Sequence, residues 1–267
     1  MLSFANAKIN LGLNVIRKRS DGYHDLETVF YPVKIYDAIE ITDAAETVCK
    51  IEGISIPGDN RDNICLKAFQ VLRKDFDLPP QQITLLKNIP VGAGLGGGSA
   101  DAAFLVKLMN EKFDLKLSEA QMEDYVRPLG ADCAFFVKNK PVFAEGIGDE
   151  FTRLDIDLSG YYMVLVKPAA HVATAVAYNG IKPFIPVTSL KDLIHLPLRD
   201  WKGNIRNDFE IPVFSKYPEI EQVKTALYHE GAIFASMSGS GSSVFAIFEK
   251  ELKLPELEKG NRVFYNI

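Results

Sequence analysis

The 267-residue sequence has few cysteines and histidines, and none of them is spaced like a metal site. Cys49, Cys65 and Cys133 are odd in number and far apart, and no C-x-x-C spacing occurs. The four histidines are equally scattered, so the sequence contains no zinc motif. We therefore expect three reduced thiols in a cytosolic protein, and no metal ligand is identified.

Long apolar runs and a basic excess are also missing. No stretch approaches the roughly 18 apolar residues of a membrane span, and the N-terminus has no continuous apolar segment like a signal peptide. The formal net charge of −5 gives no reason to expect nucleic acid as the partner. Apolar residues make up 47% of the chain, as in an ordinary globular protein. These features predict a cytoplasmic protein, whereas its oligomeric state is not readable from them.

Strands and helices alternate without the regular spacing of repeated βαβ units, which favours the α+β class. Strict apolar alternation predicts a strand over residues 7–16, and helices are expected at 63–76, 100–113 and 217–229. Ser118 and Gln121 form a capping box for a further helix. Other strands are predicted at residues 26–33, 36–41, 83–86, 141–144, 161–166 and 243–248. A weak break near residue 155 divides the chain into predicted domains 1–155 and 156–267.

A glycine-rich turn is the strongest local signal. Residues 90–101 read P-V-G-A-G-L-G-G-G-S-A-D, and glycine costs about 0.5–1 kcal/mol in regular structure, so five of them need a reason. Without side chains the backbone N–H groups converge on an anion, and the following helix adds its positive end. We predict a phosphate cradle in which Ser99 is the helix N-cap. The residues predicted to contact the bound phosphates are Pro90, Gly92, Ala93, Gly94, Leu95, Gly96, Gly97, Gly98 and Ser99.

Other phosphate motifs fit this turn less well. No lysine follows the glycines, so it is not a P-loop, and the V-A-I-K and H-R-D segments of protein kinases are missing. The dinucleotide pattern G-x-G-x-x-G matches Gly92, Gly94 and Gly97, with Asp114 near the expected acidic position. Pro90 and the missing βαβ context disfavour an NAD-binding oxidoreductase, which stays open together with a purely structural turn.

Three motifs in this order resemble those of the GHMP small-molecule kinase family. The first combines A-K-I-N-L-G-L at residues 7–13 with D-G-Y-H at 21–24. The second is the glycine turn, and the third is S-G-S-G-S-S-V-F at 238–245. L-G-A-D at 129–132 also fits, so the resemblance spans residues 5–245. It implies a two-domain fold, with a ribosomal protein S5-like N-terminal domain that binds ATP, a ferredoxin-like C-terminal domain and an active site in the cleft between them.

The resemblance also implies a mechanism that uses ATP with Mg²⁺. Asp132 would be the catalytic base and Lys8 its charged neighbour, which favours the carboxylate and stabilises developing negative charge. Taken alone, Asp132 is also a candidate helix N-cap, and Lys8 a solvated strand side chain. Asn63 and Lys87 match family positions near adenine. Ala100 follows Ser99 where many relatives have a second serine, so one hydroxyl remains and the magnesium ligand is not identified.

The A-K-I-N-L and D-G-Y-H pair narrows the resemblance to members whose acceptor is a cytidine diphosphate-linked polyol. Such an acceptor would stack its cytosine between Tyr23 and Tyr178, and His24 would hydrogen-bond the base edge. The remaining predicted acceptor contacts are Asn10, Thr174, Ser240 and Gly241. The sequence is also compatible with a mevalonate- or homoserine-type kinase and with a non-catalytic binding protein on the same fold.

Overall fold

A computed structural model describes residues 1–56 and 62–267. The chain divides into two compact units, each built from several stretches of sequence. The first unit comprises Met1–Ala7, Ile35–Val91 and Gly96–Lys140, and the second comprises Lys8–Lys34, Gly92–Leu95 and Pro141–Ile267. The division into 1–155 and 156–267 stays a prediction.

The two longest strands contribute residues to both units. Strand β1 (Leu2–Lys18) pairs with β2 (His24–Asp43). Within the first unit, β3 (Val48–Gly53) runs parallel to β4 (Gln81–Lys87), and β4 pairs antiparallel with the second half of β2. Burial alternates along β4, as expected for a strand with one face on a core.

Four helices of the described residues belong to the first unit. They are α1 (Ile64–Leu72), α2 (Gly97–Lys112), α3 (Glu119–Val126) and α4 (Phe135–Lys138). Helix α1 packs against α2, and Phe69, Leu105 and Phe136 are buried. The predicted capping box of α3 is present, because the Ser118 and Gln121 side chains each bond the other residue's backbone N–H.

Among the described residues of the second unit, two antiparallel strands extend the sheet that contains β2, and four other strands form a separate antiparallel sheet. Strand β5 (Val142–Glu145) pairs with the first half of β2 and with β6 (Glu150–Arg153). The strands of the separate sheet are β7 (Tyr162–Pro168), β8 (Phe234–Met237), β9 (Val244–Phe248) and β10 (Asn261–Tyr265). Their order in the sheet is β10-β7-β9-β8.

The second unit also contains α-helices, and several of them share an apolar core with the separate sheet. The helices of this unit are α5 (Thr174–Asn179), α6 (Leu190–Leu193), α7 (Glu210–Lys216), α8 (Pro218–His229) and α9 (Pro255–Glu258). Val166, Phe209, Val213, Leu227 and Ala246 are buried together in that core. In the part of the chain that the structure describes, no helix has the length and apolar character needed to cross a lipid bilayer.

The predicted α+β class is confirmed, and most predicted elements exist with shifted ends. The strands predicted at 26–33 and 36–41 are one continuous strand, β2, which runs through the intervening Lys34 and Ile35. The short strands β3, β6, β8 and β10 were not predicted, since their sequences carry too little alternation to stand out.

Candidate active site

The glycine-rich turn adopts a backbone shape that side chains would disfavour. Gly92, Gly94 and Gly96 have positive φ values of 62°, 79° and 68°. Ala93 and Leu95 alternate with them and are buried. A Cβ at Gly94 would lie 1.9 Å from the backbone oxygen of Ser238, so this glycine is also required by close packing. Alternation of this kind turns successive backbone N–H groups into an anion-binding concavity.

The carbonyl groups of residues 93–95 are hydrogen-bonded within the second unit. Ser243 donates its backbone N–H to Ala93 O at 3.3 Å, and the Ser238 hydroxyl donates to Gly94 O at 2.8 Å. The backbone N–H of Lys8 donates to Leu95 O at 3.0 Å. The turn is therefore fixed through its oxygen atoms.

The start of α2 leaves backbone N–H groups for a ligand. The prediction that Ser99 is the N-cap is wrong: the cap is Gly96, and Ser99 is the third helical residue. Gly96 occupies the left-handed conformation that ends the turn, which moves the helix start three residues earlier. The first N–H groups of an α-helix have no intrahelical acceptor and carry the positive end of the helix dipole. In α2 the N-cap residue, Gly96, has no side chain that could accept from them.

Asp132 lies in a turn beside the first turn of α2, within the first unit. Its other predicted role, as a helix N-cap, is wrong, because Ala134 precedes α4 and no side chain caps that helix. A Cβ at Gly130 would be 3.7 Å from the Ser99 hydroxyl. Burial raises the pKa of the Cys133 thiol to about 11, while a hydrogen bond with Ser99 partly opposes that rise. The half-buried Asp132 carboxyl thus belongs to a turn packed next to the predicted phosphate-binding helix.

Lys8 is not a solvated strand residue, since only 3% of it is exposed. Its Nζ donates to Asn10 Oδ1 at 2.7 Å and lies 4.4 Å from the centroid of the Phe30 ring. Asn10 Nδ2 donates in turn to the Thr28 hydroxyl at 2.8 Å. This chain of contacts in the second unit holds an ammonium group in a fixed place, as stabilisation of transferred negative charge requires.

The predicted acceptor residues form two groups in the second unit. His24 stacks on Tyr178 with ring centroids 4.8 Å apart, and Phe209 meets the Tyr178 ring edge-on. Burial lowers the pKa of His24, which favours the neutral imidazole. The Thr174 and Ser240 hydroxyl oxygens are 3.4 Å apart.

Two further predicted acceptor residues, Tyr23 and Gly241, directly adjoin His24 and Ser240 in the sequence. Tyr23 is 61% exposed, and its backbone N–H donates to Asp21 at 3.0 Å. Gly241 has a φ of 85°, and a Cβ there would lie 2.6 Å from Met237 Sδ. In the structure His24 stacks on Tyr178, and the stacking of a cytosine ring between Tyr23 and Tyr178 stays a prediction.

Asn63 and Lys87, predicted near adenine, both have structural partners in the first unit. The Asn63 side chain caps α1 by accepting from the backbone N–H of Cys65. The buried Lys87 ammonium contacts the Asp37 carboxylate and lies 2.7 Å from Asp101 Oδ2. Their roles as ATP contacts stay predictions.

The carboxyl groups around Lys87 have strongly perturbed chemistry. Burial raises the pKa of Asp101 to about 8, Lys87 opposes that rise and Asp37 adds to it. Burial alone would lower the pKa of Lys87, but its carboxylate partners raise it. One ammonium and two carboxyls are electrically neutral when Asp101 keeps its proton.

Sequence reasoning did not identify several residues that hold the site. Ser238 belongs to the third motif, and only its contact with Gly94 reveals its part in the turn. Asp37 and Asn207 carry no motif of their own, so no sequence signal pointed to them, and Asp101 ends the glycine-rich motif without a predicted role. Within residues 1–56 and 62–267, no group of three or more His, Cys, Asp or Glu side chains is placed to hold a metal ion.

The chain belongs to the GHMP kinase family. The family model for the GHMP kinases N terminal domain matches residues 63–140, and the model for the GHMP kinases C terminal domain matches residues 189–264. The chain is accordingly a small-molecule kinase, and the predicted family and fold class are confirmed.

Two relatives of the chain carry the same enzyme name. It is 53% identical over 97% of this chain and 96% of the relative to 4-diphosphocytidyl-2-C-methyl-D-erythritol kinase of Bacteroides fragilis. It is 51% identical to the kinase of the same name from Bacteroides thetaiotaomicron, with 99% of this chain and 98% of the relative covered.

Solved structures agree with this fold. A crystal structure of 4-(cytidine 5'-diphospho)-2C-methyl-D-erythritol kinase, 28% identical, superposes with a TM-score of 0.82 over 99% of this chain and 98% of the other. Methanococcus jannaschii mevalonate kinase superposes with a TM-score of 0.67 at 16% identity, covering 99% of this chain and 97% of the other, which shows the shared fold alone.

Proposed function

We propose that this kinase transfers the γ-phosphoryl group of ATP to the 2-hydroxyl of 4-diphosphocytidyl-2-C-methyl-D-erythritol, a step of non-mevalonate isoprenoid precursor biosynthesis. The observation that carries this proposal is identity at about half of all positions, over nearly the whole chain, with relatives that bear this name. The contacts of Tyr178, His24 and Lys8 support it but do not select the acceptor by themselves.

ATP is the phosphoryl donor, and its phosphates bind the glycine-rich turn and the start of α2. Three positive-φ glycines and an uncapped helix N-terminus supply backbone N–H donors without a competing side chain. Mg²⁺ would neutralise part of the phosphate charge, and the Ser99 hydroxyl on this helix would be a candidate protein ligand for it.

Asp132 accepts the proton of the acceptor hydroxyl, and Lys8 stabilises the negative charge of the transferred group. Phosphoryl transfer depends chiefly on positioning and electrostatics, so a buried and hydrogen-bonded ammonium suits this task. Asn10 orients Lys8, because its Oδ1 accepts a hydrogen bond from the Lys8 ammonium at 2.7 Å. A positioned base contributes about 10²–10⁴-fold to the rate.

The cytosine ring of the acceptor binds at the aromatic group formed by His24 and Tyr178, with the exposed Tyr23 closing on the base when it arrives. A neutral His24 presents one N–H donor and one acceptor nitrogen, which matches the mixed edge of cytosine. Thr174, Ser240 and Gly241 line the polyol side. The cytoplasmic location expected from the sequence remains a prediction.

The decisive experiment measures ATP consumption with three acceptors in parallel, followed by localisation of the phosphate on the product. The diphosphocytidyl alcohol is expected to support turnover, whereas mevalonate and homoserine are not. Equal or greater turnover with either of those two acceptors would overturn the proposed substrate while leaving the kinase assignment intact.

Two variants test the proposed roles in the same assay. Asp132→Asn and Lys8→Ala are each expected to lower kcat by about 10²–10⁴-fold without loss of fold, as judged by circular dichroism. Asp124→Asn is the matched control, because the Asp124 side chain is 79% exposed in the same unit. Near-normal turnover of folded Asp132→Asn would contradict its role as base.

A further inference from the structure

The side chain of Asn207 is hydrogen-bonded to the start of the Ser238 loop, residues 238–243, which connects β8 to β9. Asn207 is 2% exposed, and its Nδ2 donates to both Met237 O at 2.7 Å and Gly239 O at 2.8 Å. Its Oδ1 accepts from the backbone N–H of Phe209 at 3.0 Å. One amide therefore holds the two carbonyls that flank Ser238, and all three of its bonds are to backbone.

Ser238 transmits this arrangement to the glycine-rich turn. Its hydroxyl donates to Gly94 O at 2.8 Å and accepts from the backbone N–H of Asn10 at 3.2 Å. The same loop reaches Ala93 O through the backbone N–H of Ser243 at 3.3 Å. Two successive carbonyls of the turn thus point at one loop.

The direction of those carbonyls sets the direction of the N–H groups. In a trans peptide the C=O and N–H bonds point in opposite directions. Because the Ala93 and Gly94 oxygens face the Ser238 loop, the N–H groups of Gly94 and Leu95 face away from it. These are donors that the phosphate cradle needs.

We propose that Asn207 is a positioning residue for ATP: it holds the Ser238 loop so that the turn presents its N–H groups to the phosphates. This inference rests on the proposed ATP site. It assigns Asn207 no contact with the nucleotide, so its effect appears in ATP affinity and not in acceptor choice.

The test is equilibrium binding of ATP by isothermal titration calorimetry, without acceptor, at about pH 8 and about pH 6. In Asn207→Asp an ionised carboxylate would face two carbonyl oxygens, so the ATP dissociation constant is expected to rise about tenfold or more at the higher pH. Burial and those oxygens raise the pKa of the new carboxyl, and its protonated form donates one hydrogen bond. Affinity is therefore expected to recover partly at the lower pH.

Asn204→Asp is the matched control, because Asn204 is exposed and its side chain donates to Asp200 O at 2.7 Å. It should bind ATP like the unaltered protein at both pH values. A folded Asn207→Asp protein with unchanged ATP affinity at both pH values would overturn the proposal.

If Asn207→Asp does not fold, Ser238→Ala decides the matter. It removes the hydroxyl between Gly94 and Asn10 without adding charge, and weaker ATP binding supports the proposal whereas unchanged binding overturns it. Measurements on the unaltered protein distinguish a wrong substrate from a wrong ATP site. Tight ATP binding without turnover of the diphosphocytidyl alcohol rejects the proposed substrate alone, and no ATP binding rejects the ATP site together with the role of Asn207.

Discussion

Replacing Lys87 by methionine tests the buried charge cluster beneath the start of α2. The side chains of Lys87, Asp37 and Asp101 are at most 3% exposed, so removing the ammonium leaves two carboxyls without their cation. Breaking a buried ion pair in this way costs about 3–5 kcal/mol. The free energy of unfolding of Lys87→Met, measured with urea near pH 7, is expected to fall by that amount.

Lys116→Met is the matched control in the same unit. Lys116 Nζ lies 2.6 Å from Asp114 Oδ1, and the two side chains are 78% and 75% exposed. Exposed pairs contribute about 0–1 kcal/mol, so this substitution should change stability little. Equal losses in the two lysine variants would refute the reasoning from burial.

Asp101→Asn tests whether the cluster is neutral. Because burial raises the pKa of Asp101 to about 8, its carboxyl is mostly protonated near pH 7, and an amide of the same shape should cost less than about 1 kcal/mol. Because its pKa is raised, the folded protein binds the Asp101 proton more tightly than the unfolded chain does. The resulting stabilisation is complete below the unfolded-state pKa of about 3.9 and is lost as the pH rises to about 8.

The pH dependence gives the sharper measurement. Relative to Asp101→Asn, the unaltered protein should lose up to about 1.4 kcal/mol of unfolding free energy per pH unit between about pH 6 and about pH 8. A constant difference over this range, together with a loss above about 3 kcal/mol in Asp101→Asn near pH 7, would show that Asp101 is ionised.

Three further outcomes are expected. Gly94→Ala should abolish ATP binding or folding, because the φ of Gly94 is 79° and a Cβ there would lie 1.9 Å from a backbone oxygen. Gly98→Ala should keep its fold, because no atom lies within 4 Å of the added Cβ, and its free energy of unfolding in urea should rise by up to about 1 kcal/mol. Asn63→Ala should lose about 1 kcal/mol with its helix cap, and Asn63→Ser should recover most of it. Because burial lowers the pKa of His24, the acceptor KM should stay level at and above the ordinary histidine pKa of about 6.5 and rise only at lower pH. His24→Gln should remove this rise, and an unchanged rise in His24→Gln would contradict the assignment.

Much of the fold was predictable where the signal is local. The alternation of Ile9, Leu11 and Leu13 predicts β1, and the side chains of Ser118 and Gln121 predict the start of α3. The start of α2 was misplaced, because a serine beside glycines looks like a cap while the backbone at Gly96 actually ends the turn. Short strands such as β8 depend on their partners and leave little trace in sequence.

The glycine turn and the Lys8 and Asp132 motifs were determined by sequence, because glycine spacing restricts the backbone directly and residue type limits the chemistry. Tertiary structure alone decided which groups support them. Lys87 meets Asp37, 50 residues away, and Asn207 meets Met237, 30 residues away. Whether a lysine is solvated or a carboxyl keeps its proton depends on burial and on the charges packed beside it, and packing brings those charges from distant parts of the chain.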